Sequence, residues 1–472
     1  MEQKRTKIIC TIGPASNSVE VIQALMESGM DIARVNFSHG SHQDHAETID
    51  RLRTASRTLG TSLSILQDLS GPKMRIGKFS TSSIHLRANA KFTLTAQQTF
   101  GDENGVSINC PELIQDLNAG DSILLADGEL ELRVISTTGT DVTCEVVVGG
   151  ELQSNKGISV PGVLLSQSIP TPKDITDLHF GLQHGVDWVA QSFVRTADEL
   201  RRLRSLIQEN GADVPIIAKI EKREALDDLD QIIAEADGIM VARGDLGLEI
   251  PLQDVPLVQK EIIQKANLAG KPVVTATQML ESMIHNPRPT RAEATDITNA
   301  IFDGTDAIML SGETAIGKYP IAAACTMADV AIATEEKIDF VERFKRQPIE
   351  CGGEIPDAIA HAACHTALEV DAEVVICCTR SGQTAQLVAK HRPHALNAVV
   401  SANEDTLRRT MLFWGTYPVR IQLAQNTDQL IAMAKEAVLK SGIAQPGDRA
   451  VIVAGIPTDV PMPTNMIKVD IL

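Results

Sequence analysis

The sequence predicts an α/β protein: a (β/α)8 barrel with a small β-barrel lid domain inserted into it, followed by an open α/β domain. Three observations predict this class. Eight short runs rich in β-branched residues alternate with longer stretches of helical periodicity. A segment of alternating polar and apolar residues separates the third run from the fourth. From about residue 338 a second alternation of strands and helices begins.

The eight strand candidates are apolar at consecutive positions rather than at every second position. Strands with two buried faces are typical of parallel sheets covered by helices, and eight strand–helix units favour a closed barrel over an open sheet. The candidates are 7–13, 31–37, 62–68, 187–193, 215–221, 237–243, 272–278 and 306–312.

The interruption after the third strand indicates an inserted domain. Short alternating runs such as KFTLTA and VTCEVVV are separated there by Gly, Asp and Asn, as in a small antiparallel β domain. A structureless loop of that length would be unusual in a compact protein. The predicted domains are a discontinuous barrel over 1–69 and 163–337, a lid over 70–162 and a C-terminal α/β domain over 338–472.

The C-terminal segment begins with a polar stretch broken by Pro and Gly, which we interpret as a linker. Beyond it, helical patterns alternate with the strand candidates EVVICC, NAVVSA and RAVIVAG. This order predicts an independent open α/β domain.

Composition limits the function classes. The 472 residues include 61 acidic against 43 basic side chains, a net charge of −18, and only 3% are aromatic. These values argue against binding to nucleic acid or to an anionic membrane, although a few local cations still suffice for a small anion. The eight scattered cysteines lack zinc-site spacing, so we expect a reduced protein with buried thiols. No apolar run reaches the ~18 residues of a membrane span, so we also expect a cytoplasmic protein.

Active sites of (β/α)8 barrels lie at the C-terminal ends of the strands. Most residues that follow the predicted strands here are charged or carry a hydroxyl group, and such a barrel mouth is costly unless it binds a charged ligand. These residues are Arg34, Asn36, Ser38, His39, Asp68, Lys73, Arg75, Lys219, Glu221, Arg243, Gly244, Asp245, Thr277, Gln278, Ser311 and Glu313.

Two carboxylates in this set suggest a metal site. Glu221 and Asp245 follow adjacent strands, so their side chains can converge. Two acidic ligands without His or Cys suit Mg²⁺ or Mn²⁺ rather than zinc. The alternative is a pair of salt bridges with Lys219 and Arg243, because charge clusters mark functional sites only with some probability.

Two cations in the set suggest an anion. Lys219 ends a buried strand, where an ammonium is expensive without an anionic partner, and Arg34 offers a planar donor fork suited to phosphate. The alternatives are that Lys219 only neutralises Glu221 and that Arg34 pairs with Asp68.

Small and hydroxyl-bearing residues complete the predicted mouth. The backbone N–H groups of Gly244 and Asp245 can approach a carboxylate closely, and Thr277 and Ser311 can bind substrate or relay a proton. The alternatives are ordinary turn geometry for the glycine and helix capping for the hydroxyl groups.

These motifs resemble the pyruvate kinase family over essentially the whole chain. The segment over 271–320 alone is highly specific. The resembling segments are TKIICTIGPAS (6–16), ARVNFSHG (33–40), GPKMRIG (71–77), IIAKIEKREALDDLD (216–230), DGIMVARGDLGLEIP (237–251), 271–320 and TRSGQTAQLVAKHRP (379–393).

The resemblance implies transfer of the phosphoryl group of phosphoenolpyruvate to ADP, giving pyruvate and ATP in the last step of glycolysis, by a homotetramer. It implies Glu221 and Asp245 as ligands of Mg²⁺ or Mn²⁺. It also implies that Lys219 stabilises the transferring phosphoryl group and the enolate, while Arg34 holds the phosphate.

Further roles follow from the same resemblance. The Gly244 and Asp245 N–H groups and the Thr277 hydroxyl would hold the substrate carboxylate, and Thr277 and Ser311 would belong to the route that protonates the enolate. The implied nucleotide-binding residues are Arg75 and Lys156, with Pro14 and Asn36 at the border of the nucleotide and cation region.

The chain departs from the family at the third strand. Many members need K⁺ and read Asp-Thr-Lys-Gly-Pro-Glu there, whereas this chain has Leu69 in place of the threonine and Lys73 in place of the glutamate. We expect the Lys73 ammonium, near Asn36, Ser38 and Asp68, to supply the charge of K⁺, as in the K⁺-independent branch with the same Lys and Leu. The alternative is a solvated loop lysine.

The C-terminal domain contains a second phosphate-site candidate, because hydroxyl groups and a glycine precede a predicted helix. In the family this loop receives phosphorylated effectors, and the alternative is an ordinary capped turn. Its residues are Thr379, Ser381, Gly382, Gln383 and Thr384.

The last loop, over 455–465, carries Asp459 where relatives are usually glycine-rich. A carboxylate there would repel a second phosphate group. We therefore expect a monophosphate effector rather than fructose 1,6-bisphosphate.

Two rival functions fit parts of the pattern. A metal-dependent aldolase or mutase acting on pyruvate or phosphoenolpyruvate would use the same barrel, but it does not need the nucleotide clamp of Arg75 and Lys156. A non-catalytic sugar-phosphate sensor would use the C-terminal loop, but it does not need Lys219, Glu221 and Asp245.

Overall fold

The computed structural model describes residues 4–346, 353–458, 460 and 462–472. The chain opens with the first part of a barrel. Both helices of this part begin at a serine whose hydroxyl accepts a backbone N–H, Ser18 for the first and Ser41 for the second. The elements are β1 (Lys7–Thr11), α1 (Val19–Glu27), β2 (Ile32–Asn36), α2 (His42–Leu59) and β3 (Ser64–Leu69).

The inserted segment follows β3 and forms its own core around residues such as Phe92, Leu132 and Val146. Its elements are β4 (Ser83–Leu86), β5 (Lys91–Thr95), β6 (Gly105–Ser107), α3 (Leu113–Asp116), β7 (Ser122–Leu125), β8 (Leu130–Thr137), β9 (Asp141–Val148), β10 (Gly150–Gln153) and β11 (Ile158–Ser159). A six-stranded sheet has the order β11-β7-β8-β9-β5-β6, and β10 pairs with β4. Only the β5–β6 pair of these sheets is parallel.

The chain then returns to the barrel for its remaining units. In two of these units a strand passes almost directly into a helix: no residue separates them between Ala242 and Arg243, and only Ser311 separates Leu310 from Gly312. The elements are α4 (Pro172–Gln183), β12 (Trp188–Gln191), α5 (Ala197–Glu209), β13 (Ile216–Ile220), α6 (Glu224–Asp227), α7 (Leu229–Glu235), β14 (Gly238–Ala242), α8 (Arg243–Glu249), α9 (Val255–Leu268), β15 (Val273–Ala276), α10 (Arg291–Asp303), β16 (Ala307–Leu310), α11 (Gly312–Ala315) and α12 (Pro320–Glu335).

Eight parallel strands close into a (β/α)8, or TIM, barrel. Around it the order is β1-β2-β3-β12-β13-β14-β15-β16, and β16 pairs back to β1 from Lys7↔Ala307 to Cys10↔Leu310. The predicted fold class is therefore confirmed: the eight strands form a parallel barrel, and their C-terminal ends meet at one rim.

The C-terminal domain is a five-stranded sheet of order β19-β18-β17-β20-β21, covered by helices. The sequence analysis missed β19 and the antiparallel edge strand β21. Part of the predicted linker is helical, over α13. The elements are α13 (Phe340–Arg346), α14 (Ile355–Glu369), β17 (Val374–Cys378), α15 (Gln383–Lys390), β18 (Leu396–Ser401), α16 (Glu404–Arg409), β19 (Thr416–Arg420), α17 (Thr427–Ser441), β20 (Arg449–Ala454) and β21 (Met466–Ile471).

The C-terminal domain closes the N-terminal end of the barrel. Its residues Met411 and Phe413 join the apolar cluster inside the barrel. Trp188 Nε1 donates to the Arg409 carbonyl at 3.1 Å, and an Arg392 nitrogen lies 2.9 Å from Asp306 Oδ2. The opposite end, at the strand C-termini, is therefore the end left for a ligand.

Seven cysteines lie in the described residues and all carry free thiols. Six are buried, but Cys325 is exposed, so the expectation of buried thiols is wrong at that position. Cys351 lies outside the described residues. Within the described ranges, every helix is too short or too polar to cross a membrane.

Candidate active site

One cavity of about 100 Å³ opens among the C-terminal ends of the barrel strands. We call it the mouth cavity. Its floor is apolar and includes Met240, Ala276 and Met309, while its walls are polar. The residues that the sequence analysis singled out and that line it are Arg34, Asn36, Ser38, Lys73, Lys219, Glu221, Asp245, Thr277 and Ser311.

Arg34 and Asp68 form a buried pair across the neighbouring strands β2 and β3. Arg34 Nε donates to Asp68 Oδ2 at 2.7 Å, and Arg34 Nη1 donates to Thr11 Oγ1 at 2.9 Å. The structural pairing considered as an alternative for Arg34 is therefore present. Arg34 nevertheless also lines the mouth cavity. Its partner Asp68 does not line the cavity and is only 1% exposed.

Lys219 stands at the centre of the charged residues. Its Nζ atom donates to Ser192 Oγ at 2.7 Å and lies 3.2 Å from Asp68 Oδ1 and 3.0 Å from Glu221 Oε1. The pairing with Glu221 considered as an alternative for Lys219 is also present. Arg34 and Lys219 thus balance the charges of Asp68 and Glu221 within the buried cluster.

Burial and charge act against each other in this cluster. Burial disfavours the Lys219 ammonium, but Asp68 and Glu221 outweigh that effect and raise its pKa. Burial also disfavours the Asp68 carboxylate, yet Lys219 and Arg34 lower its pKa. For Glu221 burial prevails over Lys219 and, together with the charge of Asp245, raises the pKa. A further cation beside Glu221 would favour its charged form.

Glu221 and Asp245 fit a divalent metal. Glu221 Oε2 accepts the Phe193 N–H at 2.6 Å, which orients the carboxylate. The Asp245 carboxylate has no hydrogen bond or ion pair with any described residue, and Arg243 pairs instead with Asp296 at 2.6 Å. The Asp245 carboxylate, with the oriented Glu221 carboxylate beside the same cavity, suits a hard cation that keeps water and substrate oxygens as its other ligands.

Gly244 and Thr277 meet at the start of α8. The Gly244 N–H donates to Thr277 Oγ1 at 2.8 Å, and the Arg243 guanidinium donates to the Thr277 carbonyl at 2.7 Å. Thr277 has φ of +68°, a left-handed conformation that is strained for a β-branched residue. Such strain is held in place only by surrounding contacts and is concentrated at functional sites.

Ser311 follows β16, which pairs with β1, the neighbour of the strand β2 that carries Arg34. Its backbone N–H donates to Glu313 Oε2 at 2.7 Å, and the Leu280 N–H donates to Glu313 Oε1 at 3.0 Å. The buried Glu313 therefore fixes the loop ends after β15 and β16 relative to each other.

Lys73 lines the mouth cavity together with Asn36 and Ser38, as expected of a residue in the cation region. Partial burial and the nearby charge of Arg75 lower the pKa of Lys73, while Asp245 opposes the shift. Its ammonium forms no ion pair within the described part of the chain. Asp68 is not a direct partner, because Arg34 and Lys219 occupy its carboxylate.

Arg75 and Lys156 lie side by side on the inserted domain, outside the mouth cavity. Arg75 Nη1 donates to the Asn155 carbonyl at 2.8 Å, and the Ile76 N–H donates to the Lys156 carbonyl at 3.0 Å. Pro14 is exposed in the loop after β1 and does not line the mouth cavity either. The structure thus does not bring these three residues into contact with the charged cluster.

A second cavity, of about 240 Å³, separates the inserted domain from the barrel mouth. We call it the lid cleft. Ile158 and Ser159 line it from the inserted domain, and Glu221 and Asp245 line it from the barrel. The two carboxylates therefore line both cavities.

A cavity of about 400 Å³ in the C-terminal domain is lined by four of the predicted loop residues, Thr379, Ser381, Gln383 and Thr384. Gly382 has φ of +95° and its N–H donates to Thr379 Oγ1 at 2.9 Å. The Thr379 hydroxyl therefore holds the turn, as in the alternative considered, but α15, whose N-cap residue is Gly382, has no side-chain cap. The turn lies beside a cavity large enough for a ligand. Asp459 lies outside the described residues.

Sequence reasoning missed Ser192 and Phe193, which bind Lys219 and Glu221. The signal was available, because both residues end the fourth strand candidate, 187–193, and strand ends line the mouth of such a barrel. It also missed the buried ion pair of Lys222 and Glu249. No spacing rule links those two positions, since they come from different strand–helix units.

Comparisons with known proteins agree with this architecture. The family model described as pyruvate kinase, barrel domain, matches residues 3–324, and that for the pyruvate kinase alpha/beta domain matches residues 357–470. The pyruvate kinase of Geobacillus stearothermophilus is 43% identical over 473 residues, covering 100% of this chain and 81% of that protein. The pyruvate kinase of Clostridium acetobutylicum is 42% identical over 471 residues, covering 99% of this chain and 100% of that protein.

A solved structure is also similar. The crystal structure of a pyruvate kinase from Cryptosporidium parvum superimposes with a TM-score of 0.92 at 35% identity, covering 99% of this chain and 96% of that one. Both domains, the full-length sequence similarity and the fold thus point the same way. The chain belongs to the pyruvate kinase family and is a phosphotransferase.

Proposed function

We propose that the mouth cavity is where the phosphoryl group of phosphoenolpyruvate passes to ADP, giving pyruvate and ATP. The observation that carries this proposal is that Arg34, Lys219, Glu221 and Asp245 all line one cavity. Phosphoryl transfer depends on positioning and on neutralisation of charge more than on a nucleophilic side chain. Cations and metal-binding carboxylates around one small space supply both.

Arg34 and Lys219 bind the phosphoryl group in this proposal. The contact with Asp68 holds the Arg34 guanidinium in one orientation, so that its remaining edge meets phosphate oxygens. Lys219 keeps its proton because its pKa is raised, so its charge is present where the enolate develops.

Glu221 and Asp245 hold Mg²⁺ or Mn²⁺. When bound, the metal would neutralise phosphoryl oxygens and polarise them toward transfer. The Phe193 N–H orients the Glu221 carboxylate, and Lys219 offsets part of its charge.

The substrate carboxylate lies at the start of α8. The first N–H groups of a helix have no intrahelical partners, so those of Gly244 and Asp245 are available to an anion. Binding there would take the Gly244 N–H from the Thr277 hydroxyl, which then also donates to the carboxylate.

Thr277 and Ser311 belong to the route that brings a proton to the enolate. Both line the mouth cavity, from the strands β15 and β16 that adjoin each other. Their backbone positions are fixed by Arg243 and Glu313, which suits groups that must hold one orientation during proton transfer.

Arg75 and Lys156 bind the nucleotide phosphates from the inserted domain, with Pro14 and Asn36 at the border of that region. Their distance from the charged cluster supports a lid that closes over the mouth cavity when nucleotide is bound. Such closure would exclude water and limit hydrolysis of the phosphoryl group.

Lys73 supplies the positive charge that K⁺ provides in many relatives, so the enzyme works without K⁺. Its place beside Asn36 and Ser38 in the wall of the mouth cavity supports this proposal.

The C-terminal cavity binds a phosphorylated effector, a monophosphate in preference to a bisphosphate. The hydroxyl groups of Thr379, Ser381 and Thr384 at the start of α15 support this assignment. The symmetric homotetramer stays a prediction.

The test is a coupled assay that detects pyruvate formed from phosphoenolpyruvate and ADP. Pyruvate and ATP in equal amounts are expected. No pyruvate from these two substrates, together with rearrangement of phosphoenolpyruvate or with cleavage of a larger 2-oxo acid to pyruvate, would instead indicate a mutase or an aldolase. No turnover together with binding of a sugar phosphate would indicate a sensor.

A further inference from the structure

A buried ion pair joins the two elements that carry the proposed metal ligands. Lys222 directly follows Glu221 at the end of β13, and Glu249 is the last residue of α8, which has Asp245 in its first turn. The Lys222 ammonium pairs with Glu249 Oε1, and the two side chains are only 6% and 4% exposed. The pair therefore connects β13 with α8 on the side of the barrel mouth.

The charge of the Glu249 carboxylate depends on the Lys222 ammonium. Burial raises the pKa of Glu249, and Lys222 is the main group that opposes this shift. Glu249 Oε2 is buried and accepts no hydrogen bond from any described residue. Without the ammonium of Lys222, the Glu249 carboxylate would have little to balance its charge and would protonate or move.

The pair also forms a wall of the lid cleft. Lys222 and Glu249 line that cleft beside Glu221 and Asp245, opposite residues of the inserted domain such as Ser159. Loss of the pair would let α8 rotate or the chain after β13 shift. Because Asp245 lies on α8 and Glu221 directly after β13, either movement would displace one of the two carboxylates.

We propose that Lys222 and Glu249 are positioning residues that set the separation of the Glu221 and Asp245 carboxylates and thereby the affinity for the divalent cation. The inference rests on the proposed role of Glu221 and Asp245 as metal ligands. It goes beyond that role because it assigns Lys222 and Glu249 to holding the ligands in place and not to binding the cation. Residues that hold metal ligands in place typically change metal affinity about 10- to 100-fold when replaced.

The experiment measures Mn²⁺ binding to the full chain by the electron paramagnetic resonance signal of free Mn²⁺, without substrate. The variants are Lys222→Met and Glu249→Gln, with Lys222→Arg as the conservative replacement. We expect Kd for Mn²⁺ to rise about 10-fold or more in the first two and to stay within about threefold of wild type in Lys222→Arg. At saturating Mn²⁺, kcat should fall much less than the metal affinity.

Lys260→Met is the matched control, because Lys260 also forms an ion pair, with Asp303, but lies on α9 outside both cavities. Its Kd for Mn²⁺ should equal that of wild type. A variant of Lys222 or Glu249 that keeps its thermal transition and binds Mn²⁺ within twofold of wild type would overturn the inference. Where a single variant does not fold, Lys222→Met/Glu249→Met removes both charges and gives the same comparison.

Glu221→Gln separates this inference from the proposed metal site. If Glu221→Gln leaves Mn²⁺ binding unchanged, the assignment of the metal ligands itself is wrong, and the inference falls with it. If Glu221→Gln abolishes binding while Lys222→Met does not weaken it, only the positioning role is wrong.

Discussion

Lys219, within β13, and Glu221, directly after it, line the same cavity and place Nζ and Oε1 3.0 Å apart. The pair puts a permanent positive charge beside the carboxylate that we propose as a metal ligand. Phosphate bound there would meet the ammonium and the metal together, so the two charges act on the same phosphoryl group.

Lys219→Met should reduce kcat for pyruvate formation by about 10²- to 10³-fold or more, the usual loss when one preorganised group that stabilises the transition state is removed. KM for phosphoenolpyruvate should change far less. Steady-state kinetics in the coupled assay measure both. A loss confined to KM would mean that Lys219 only helps to bind the substrate.

Asp68→Asn should destabilise the fold by about 3–5 kcal/mol at neutral pH, because it leaves two buried cations without their shared carboxylate. It should also raise KM for phosphoenolpyruvate, since Arg34 loses its orientation. Urea unfolding monitored by circular dichroism gives the stability.

The pH dependence of that loss follows from the lowered pKa of Asp68. A carboxyl group with a depressed pKa in the folded state stabilises the protein above its unfolded pKa of about 3.9. The difference between wild type and Asp68→Asn should therefore be constant above about pH 5 and shrink as the pH falls through the depressed pKa. A difference that grows on acidification would contradict this assignment.

Lys73→Glu, combined with Leu69→Thr, should make activity depend on K⁺. The wild type should keep its activity when K⁺ is replaced by a tetraalkylammonium ion, and the double variant should lose most of its activity under the same conditions and recover it with K⁺. Loss of activity in the wild-type enzyme without K⁺ would contradict the proposal that the Lys73 ammonium takes the place of K⁺.

Ser381→Ala should abolish activation by a phosphorylated effector while leaving basal turnover unchanged. The cavity at residue 381 lies in the domain that closes the far end of the barrel, away from the mouth cavity. Saturation curves with AMP, ribose 5-phosphate and fructose 1,6-bisphosphate measure the response. A selective response to the bisphosphate would contradict the expected preference for a monophosphate.

Thr277→Ala should slow the exchange of the pyruvate methyl protons with solvent more than it slows phosphoryl transfer. The variant loses the hydroxyl that accepts the Gly244 N–H. The smaller alanine can also leave the strained backbone conformation, with φ of +68°, more easily. Ser311→Ala should have the same kind of effect. Nuclear magnetic resonance follows the exchange, and equal effects on the two steps would remove these residues from the proton route.

The barrel and the charged mouth were predictable because both follow from local patterns. Runs of buried β-branched residues specify parallel strands, and their C-terminal ends meet at one rim, so Lys219, Glu221 and Asp245 had to converge. The β19 strand was harder to predict because Pro418 interrupts its apolar pattern. Strand β21 alternates polar and half-buried residues at a sheet edge and so has no clear buried face.

Other features depend on the third dimension alone. Arg243 pairs with Asp296 and not with Asp245, and this pair joins residues more than 50 positions apart. The sharing of Asp68 by Arg34 and Lys219 likewise depends on side-chain geometry at the barrel rim rather than on spacing. The distance of Arg75 and Lys156 from the mouth cavity depends on how the inserted domain is oriented, which no sequence pattern encodes.

The most direct test of the account is pulsed electron paramagnetic resonance of the enzyme with Mn²⁺ and phosphoenolpyruvate. If Glu221 and Asp245 hold the metal against the phosphoryl group bound by Arg34 and Lys219, the wild type will show a ³¹P hyperfine coupling typical of a directly coordinated phosphoryl oxygen. That coupling will disappear in Glu221→Gln. Bound Mn²⁺ without a ³¹P coupling in the wild type, or the same coupling in Glu221→Gln, would contradict the account.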